Sequence, residues 1–327
     1  MIQKICSKKR ILFITTKNLD YIRNVQEINL IQENASEYIV IGSHSKSYFR
    51  RLLWVYFRLL FMKVSCFELV WIGFAPQLIF PLFWKFKKKI IIVDFFISLY
   101  DTLCYDRRVI KSGSLIGKCL YALDKATLNR ADYVICDTNA HGEYFIREFQ
   151  VSPEKLFTLY LQADTSIFYP RLNERPQFLK NKYVILYFGS ILPLQGVEIV
   201  LKAIDLLKTC EQLFFFFIGP LNDSLRKSRP MSENIQYIDW LSQEKLAHYI
   251  SWSDLCLAGH FNKEVEKASR TIPGKAFIYQ AMGKEMILGN NPANRELFAR
   301  DEKVIFVEMG DEKALAKAIL TRLTDKD

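Results

Sequence analysis

Short apolar runs alternate with stretches of helical period along the whole chain. In the first half they fall at 11–15, 38–41, 67–72, 89–93, 133–136 and 156–160. In the second half they fall at 183–188, 213–218, 234–238, 255–258, 285–288 and 304–307. A strand with one wet face alternates apolar and polar residues. A run that is apolar throughout is covered on both faces, as in a parallel sheet between helices. About six such runs per half predict two doubly wound α/β sheets. Between the halves, 167–182 carries Pro170 and Pro176, has no strong period, and reads as a linker. The expected organisation is an N-terminal domain at 1–166, a linker at 167–182 and a C-terminal domain at 183–327. A ligand is expected in the cleft that the two domains face.

The composition, 50% hydrophobic and 24% charged over 327 residues, suits a soluble globular protein of this size. The seven cysteines are scattered without a C-x-x-C pair, so reduced thiols are expected. Residues 1–10 are basic but lead into too short an apolar run for a signal peptide. No stretch reaches the roughly 18 apolar residues of a membrane-spanning helix; the nearest, 73–84, is broken by Pro76 and Pro81. A net charge of +10 suits an anionic partner: a nucleotide, a lipid headgroup or nucleic acid.

The second half carries three motifs. Lys267, Arg270 and Lys275 surround Pro273-Gly274, where a helix is expected to open. Free backbone N–H groups at a helix start attract anions, so these cations predict a cradle for a diphosphate. Gly189, Ser190, Gln195 and Gly196 lie between a strand and a helix whose apolar positions are Val197, Val200, Leu201 and Ile204. A glycine at such a turn lets the backbone approach a ligand closely. The turn 289–294 precedes a third helix. Asn294 and Glu296 are candidate donor ligands there, with Glu296 expected in the first helical turn and able to accept hydrogen bonds from sugar hydroxyls.

The first half carries two more. Asp94 to Asp106 leaves the C-terminal end of an expected strand, where open α/β sheets place ligands. Asp94 and Asp101, near Tyr100, are candidates to orient an acceptor hydroxyl or act as a base. Residues 46–63 form an aromatic and aliphatic helix on which Lys46, Arg50, Arg51 and Arg58 share an arc of roughly 140°. With Trp54 this is the make-up of an interfacial membrane helix, and equally of a core helix with a basic stripe.

Other chemistries are disfavoured. The only Asp-x-Asp is Asp325-Lys326-Asp327 in the tail, and the four histidines show no metal-ligand spacing, so no metal is expected. No G-x-S-x-G, Walker A or G-x-G-x-x-G occurs. No nucleic-acid module is recognisable either, so nucleic acid is not an expected partner.

Taken in order, these stretches resemble glycosyltransferase family 4, the retaining transferases of the GT-B fold. Tyr21 to Asn24 follow the first strand; Asp94 to Arg107 are similar to a stretch of one bacterial polysaccharide subgroup; Ala163 to Pro170 resemble the domain junction. Residues 189–196, 267–275 and 292–297 then follow in register. The resemblance implies two Rossmann-like domains, acceptor-binding first and donor-binding second. It implies transfer from a nucleotide sugar, without a metal, to a lipid-linked or growing saccharide at the cytoplasmic face of the membrane. Capsule, exopolysaccharide or lipopolysaccharide is the implied product.

The chain also departs from that pattern. Where the family has Arg and Lys in the glycine loop, it has Ser190 and Gln195. The family's paired glutamates, eight positions apart, read Arg270 and Ile278. Arg270, with Lys267 or Lys275, is therefore expected to take over the diphosphate, since a guanidinium fork suits phosphate oxygens. The usual terminal helix that crosses back to the first domain is absent after 312–323. That leaves either weak closure or a protein partner completing the C-terminal region. A catalytically degenerate, partner-dependent GT-B protein is the rival reading.

Overall fold

The computed structural model describes residues 2–325, which divide into two compact units at Gln162/Ala163. The first runs α1 (Ile2–Cys6), β1 (Arg10–Asn18), α2 (Ile22–Asn34), β2 (Glu37–Ser43), α3 (Tyr48–Phe61), β3 (Leu69–Ile72) and β4 (Ile90–Asp94). It continues with α4 (Leu115–Arg130), β5 (Tyr133–Cys136), α5 (Asn139–Phe149) and β6 (Leu156–Thr158). The second runs β7 (Tyr183–Phe188), α6 (Val197–Leu207), β8 (Leu213–Ile218), α7 (Asp223–Ser228), β9 (Ile235–Ile238) and α8 (Gln243–Trp252). It ends with β10 (Leu255–Gly259), α9 (Lys267–Arg270), α10 (Gly274–Ala281), β11 (Glu285–Gly289), α11 (Pro292–Phe298), β12 (Val304–Val307) and α12 (Glu312–Thr324).

Every apolar run picked out in the sequence is a strand, and every strand pair is parallel. The reason is visible along β1. Leu12 and Ile14 enter one core with Val55, Leu59 and Phe145, while Ile11 and Phe13 enter another with Ile31 and Trp71. Side chains alternate between faces, yet both faces are covered, so the whole run must be apolar. In the second unit β8 is buried at all six positions, and Phe215 and Phe217 pack with Val200 and Ile204 of α6 and Leu315 and Ile319 of α12.

The sheet orders locate the crevices. The first sheet is β2-β1-β3-β4-β5-β6 and the second is β12-β11-β10-β7-β8-β9. A doubly wound sheet binds ligand at the carboxyl ends of the strands where the winding reverses. Those places lie between β1 and β3, and between β7 and β10. The second order matches that of dinucleotide-binding sheets.

Residues 167–182 are bonded to the second unit. Arg175 donates to Asp254 at 2.8 Å, Asn173 donates to Ser251 at 2.8 Å, and the Trp252 indole donates to the Glu174 carbonyl at 3.1 Å. Lys326 and Asp327 of the Asp-x-Asp tail lie outside the described residues.

Helix α3 corrects one expectation. Arg51 does not join an exposed basic arc. It is buried, and its guanidinium donates to the carbonyls of Thr16, Ser45 and Lys46 and lies over the Tyr48 ring. The physical reason is the carboxyl edge of the sheet, where the Thr16 carbonyl near the end of β1 and those of Ser45 and Lys46 after β2 need a donor. Arg50, Trp54 and Arg58 stay exposed.

Candidate functional site

The crevice between β7 and β10 holds a cation. β7 ends at Phe188, and Gly189 follows with φ +150°. A Cβ there would stand 2.9 Å from the Lys275 ammonium. Across the crevice β10 ends at Gly259, φ +85°, where a Cβ would stand 3.1 Å from Gln195 Oε1. Both positions therefore require glycine. Lys275 is the second residue of α10, and its Nζ donates to Gln195 Oε1 at 2.8 Å. The same Nζ lies 4.0 Å from the centroid of the Tyr187 ring, itself fully buried and stacked on Phe217. Burial alone pushes the Lys275 ammonium well below 10.5. Among the described residues no carboxylate offsets that, so the crevice holds a cation whose neighbours are an amide oxygen and an aromatic face. The buried Tyr187 hydroxyl has no hydrogen-bond partner.

The three cations of the Pro-Gly turn have separate settings. Lys267 is half-buried at the start of α9, Arg270 is buried at its end, and Lys275 belongs to α10, whose N-cap is Pro273, with Gly274 exposed. His260 Nδ1 bonds the Thr271 carbonyl at 3.0 Å, fixing the α9–α10 connection to the end of β10. Asn291 caps α11 and donates to the Ala268 carbonyl, holding α9 from the other side. Asn294 is fully buried, and its amide donates to the Gly289 carbonyl at 2.8 Å. Glu296 is half-buried, and because the Asn291 cap starts α11 at Pro292 it is the fifth helical residue, a turn later than expected. Ser190 is exposed. Gly196 caps α6 and lines a cavity of about 550 Å³ with Ile191, Leu192, Asn222, Asn262 and Lys263. These residues follow β7, β8 and β10, so the cavity lies at the carboxyl edge of the second sheet.

In the first unit the expected carboxylates are enclosed. Asp94, at the end of β4, is fully buried and takes a two-pronged bond from Arg23, Nε to Oδ2 at 3.0 Å and Nη2 to Oδ1 at 3.1 Å. Beside it Glu27 accepts from the Trp71 indole at 3.2 Å, and its pKa is raised well above 4.5, first by burial and then by Asp94. Arg23 also donates to the Leu159 carbonyl, and Gln26 donates to that of Tyr160 at 2.7 Å. Thus α2 ties β4 to the end of β6. Asp101 opens a π-helical turn, Asp101–Asp106, and is buried.

The residue that shapes this turn is Asp124 of α4, which the sequence reading passed over. Its carboxylate accepts from Ser98 Oγ at 2.6 Å, Gln77 Nε2 at 2.9 Å, Tyr100 N at 3.0 Å and Leu99 N at 3.3 Å. A second unread pair is His141 and Asp137 after β5, 2.5 Å apart and buried, with His141 Nε2 unpartnered. The available sequence signal was a lone Asp or His inside an otherwise apolar helical face.

Residues 182–325 match the family described as glycosyl transferases group 1. The match spans the second unit from β7 to α12. No curated protein matches the chain by sequence. Among solved structures it is similar to sucrose-phosphate synthase from Thermosynechococcus elongatus, with TM-score 0.72 and 15% identity over 97% of this chain and 90% of that one. It is also similar to HepE of Anabaena, solved with UDP and glucose, with TM-score 0.65 and 12% identity over 97% and 90%. A glycosyltransferase from Rickettsia africae gives TM-score 0.61 and 16% identity over 97% and 88%. At these identities the likeness shows the fold, which is GT-B.

In a domain of the kind that match describes, a crevice cation has a definite use. Cleaving the bond between sugar and diphosphate leaves negative charge on phosphate oxygens. A preorganised buried ammonium interacts with that charge far more strongly than one in water. Among the described residues no group of three His, Cys, Asp or Glu side chains is gathered that could hold a metal ion.

Proposed function

We propose that the second unit binds a UDP-sugar in the β7/β10 crevice, with its diphosphate on Lys275, and that the chain transfers the sugar with retention of configuration. The observation that carries this reading is the Lys275 ammonium, buried at Gly189 with an amide and an aromatic ring for neighbours and, among the described residues, no carboxylate. A diphosphate is the counter-charge that such a site lacks. UDP is favoured over other nucleotides by the structural likeness to HepE, solved with UDP. Ser190 and Gln195 stand where related loops carry cations, and Lys275 meets the same loop from α10 through Gln195. Lys267 and Arg270 stay in the reading as flanking positive charge, and Asn294 and Glu296 as the wall beside the donor sugar.

The acceptor is assigned to the first unit as a lipid-linked or growing saccharide of a cell-surface polysaccharide. Asp94 has both oxygens on Arg23, so it is given a positioning role. Asp101 shares that role through the turn held by Asp124. The reading invokes no metal and places the chain peripherally at the cytoplasmic face of the membrane.

The test is thermal unfolding against UDP, GDP, ADP and CDP. A ligand at about a hundred times its Kd stabilises by about 2.7 kcal/mol. UDP is expected to raise Tm selectively in the wild type and to lose that effect in Lys275→Met. A folded wild type that responds to none of the four sinks the reading.

A further inference from the structure

Helix α3 has two stripes. Arg51, Val55 and Leu59 are buried against the first sheet. Phe49, Leu53, Phe57 and Leu60 recur at the same helical spacing but start two residues earlier, roughly 160° around the axis. They are exposed, at 67%, 53%, 57% and 52%. Phe61 and Trp54 are exposed beside them. The neighbouring 3-10 segment Phe80–Phe86 extends this face: Lys85 donates to the carbonyls of Leu60 and Met62 at the end of α3, and Trp84 next to it is 61% exposed. A lone exposed apolar side chain is ordinary, but a continuous stripe this size marks an interaction surface.

The surrounding charge identifies the partner. From 38 to 93 the chain has nine Lys and Arg against a single carboxylate, Glu68, which accepts from the Arg10 backbone N–H. Arg50, Arg58, Lys63, Lys87 and Lys88 are exposed around the stripe, and Arg58 lies 5.8 Å from the Trp54 ring centroid. An apolar aromatic stripe on a segment this rich in exposed cations is complementary to an acyl layer under anionic headgroups. Among the described residues no helix is long and apolar enough to cross a membrane.

We propose that the first unit docks on an anionic lipid surface through α3 and the segment Phe80–Phe86, burying the Phe49–Leu60 stripe in the interfacial layer. The anchoring of α3 gives this docking a use. Arg51 and Tyr48 both bond Thr16, one to its carbonyl and the other to its hydroxyl, at the carboxyl end of β1. The lipid-facing helix is therefore fixed to the β1/β3 crevice, the ligand position of the first sheet. This deepens the lipid-linked acceptor reading by naming the surface from which such an acceptor arrives.

The experiment is flotation of the full chain with vesicles of phosphatidylcholine alone and of phosphatidylcholine with phosphatidylglycerol. Wild type is expected to float with the anionic vesicles. Leu53→Glu/Phe57→Glu changes two exposed positions, so it folds, and it should float roughly tenfold less or worse. The same variant should keep its UDP-induced rise in Tm, whereas Lys275→Met should lose that rise and float normally, so the two readings fail separately. Wild type left at the bottom with anionic vesicles, or a double variant that floats equally well, overturns the proposal. A wild type that is dimeric in solution, does not float, and becomes monomeric on this double change also overturns it and assigns the stripe to a second copy.

Discussion

Lys275 donates to Gln195 from eighty positions along the chain, so an α10 residue supplies the charge of a loop that has no cation at Ser190 or Gln195. A buried cation without a counter-ion destabilises the empty protein and serves the filled one.

Lys275→Met should therefore move two quantities in opposite directions. Removing the uncompensated ammonium should stabilise the empty protein by about 1 kcal/mol or more, read by denaturant unfolding. Transfer should fall by roughly a hundredfold or more, the scale for losing one preorganised stabilising group at a reacting centre. A variant that loses stability and keeps its rate would refute the assignment.

Proton uptake gives a second prediction. The folded pKa of Lys275 lies below 10.5. Between that depressed value and 10.5 the unfolded chain holds the extra proton, so stability should rise with pH across this window. UDP should raise the pKa again, so binding in the same window takes up a proton and weakens as pH rises. Calorimetry in two buffers of different ionisation enthalpy should show that uptake in wild type and none in Lys275→Met.

The Arg23–Asp94 pair should be costly to break from one side. Asp94→Asn takes the two-pronged partner from a buried guanidinium, leaving it beside Glu27 at 3.9 Å, and is expected to cost about 3–5 kcal/mol in chemical denaturation. A loss under about 1 kcal/mol would mean that water reaches the pair.

Glu27 should show the opposite pH behaviour to a surface carboxylate. Its folded pKa is raised, first by burial and then by Asp94, so the native chain holds a proton that the unfolded chain releases above about 4.5. Stability should then fall as pH rises from there through the raised folded value. Glu27→Gln should remove that slope and be the more stable form at neutral pH. An unchanged slope would assign the titration to another group.

The strands were legible because a run covered on both faces must be apolar at every position, which is a local signal. The glycines at 189 and 196 were legible for the same reason, as turns between a strand and a helix. The settings of the charged residues were not. Arg51 follows Arg50 in sequence, and it is turned inward by the Thr16 carbonyl near the end of β1, 35 residues away, together with the carbonyls of Ser45 and Lys46. Asp94 looked like an acceptor ligand because its partner Arg23 is 71 positions earlier. Asp124 carries no motif at all, since its four donors come from two distant loops.

The two sheets reverse their winding at different depths. In the second, β7 and β10 leave three strands on either side, so the crevice is central and walled in, suited to a compact group such as a nucleotide. In the first, only β1 and β2 lie beyond the reversal at β3. A groove displaced toward an edge has one low bank. A chain-like molecule can lie across it with one end at the carboxyl edge and the rest trailing off the protein, so the length of the acceptor need not be limited by the size of the site.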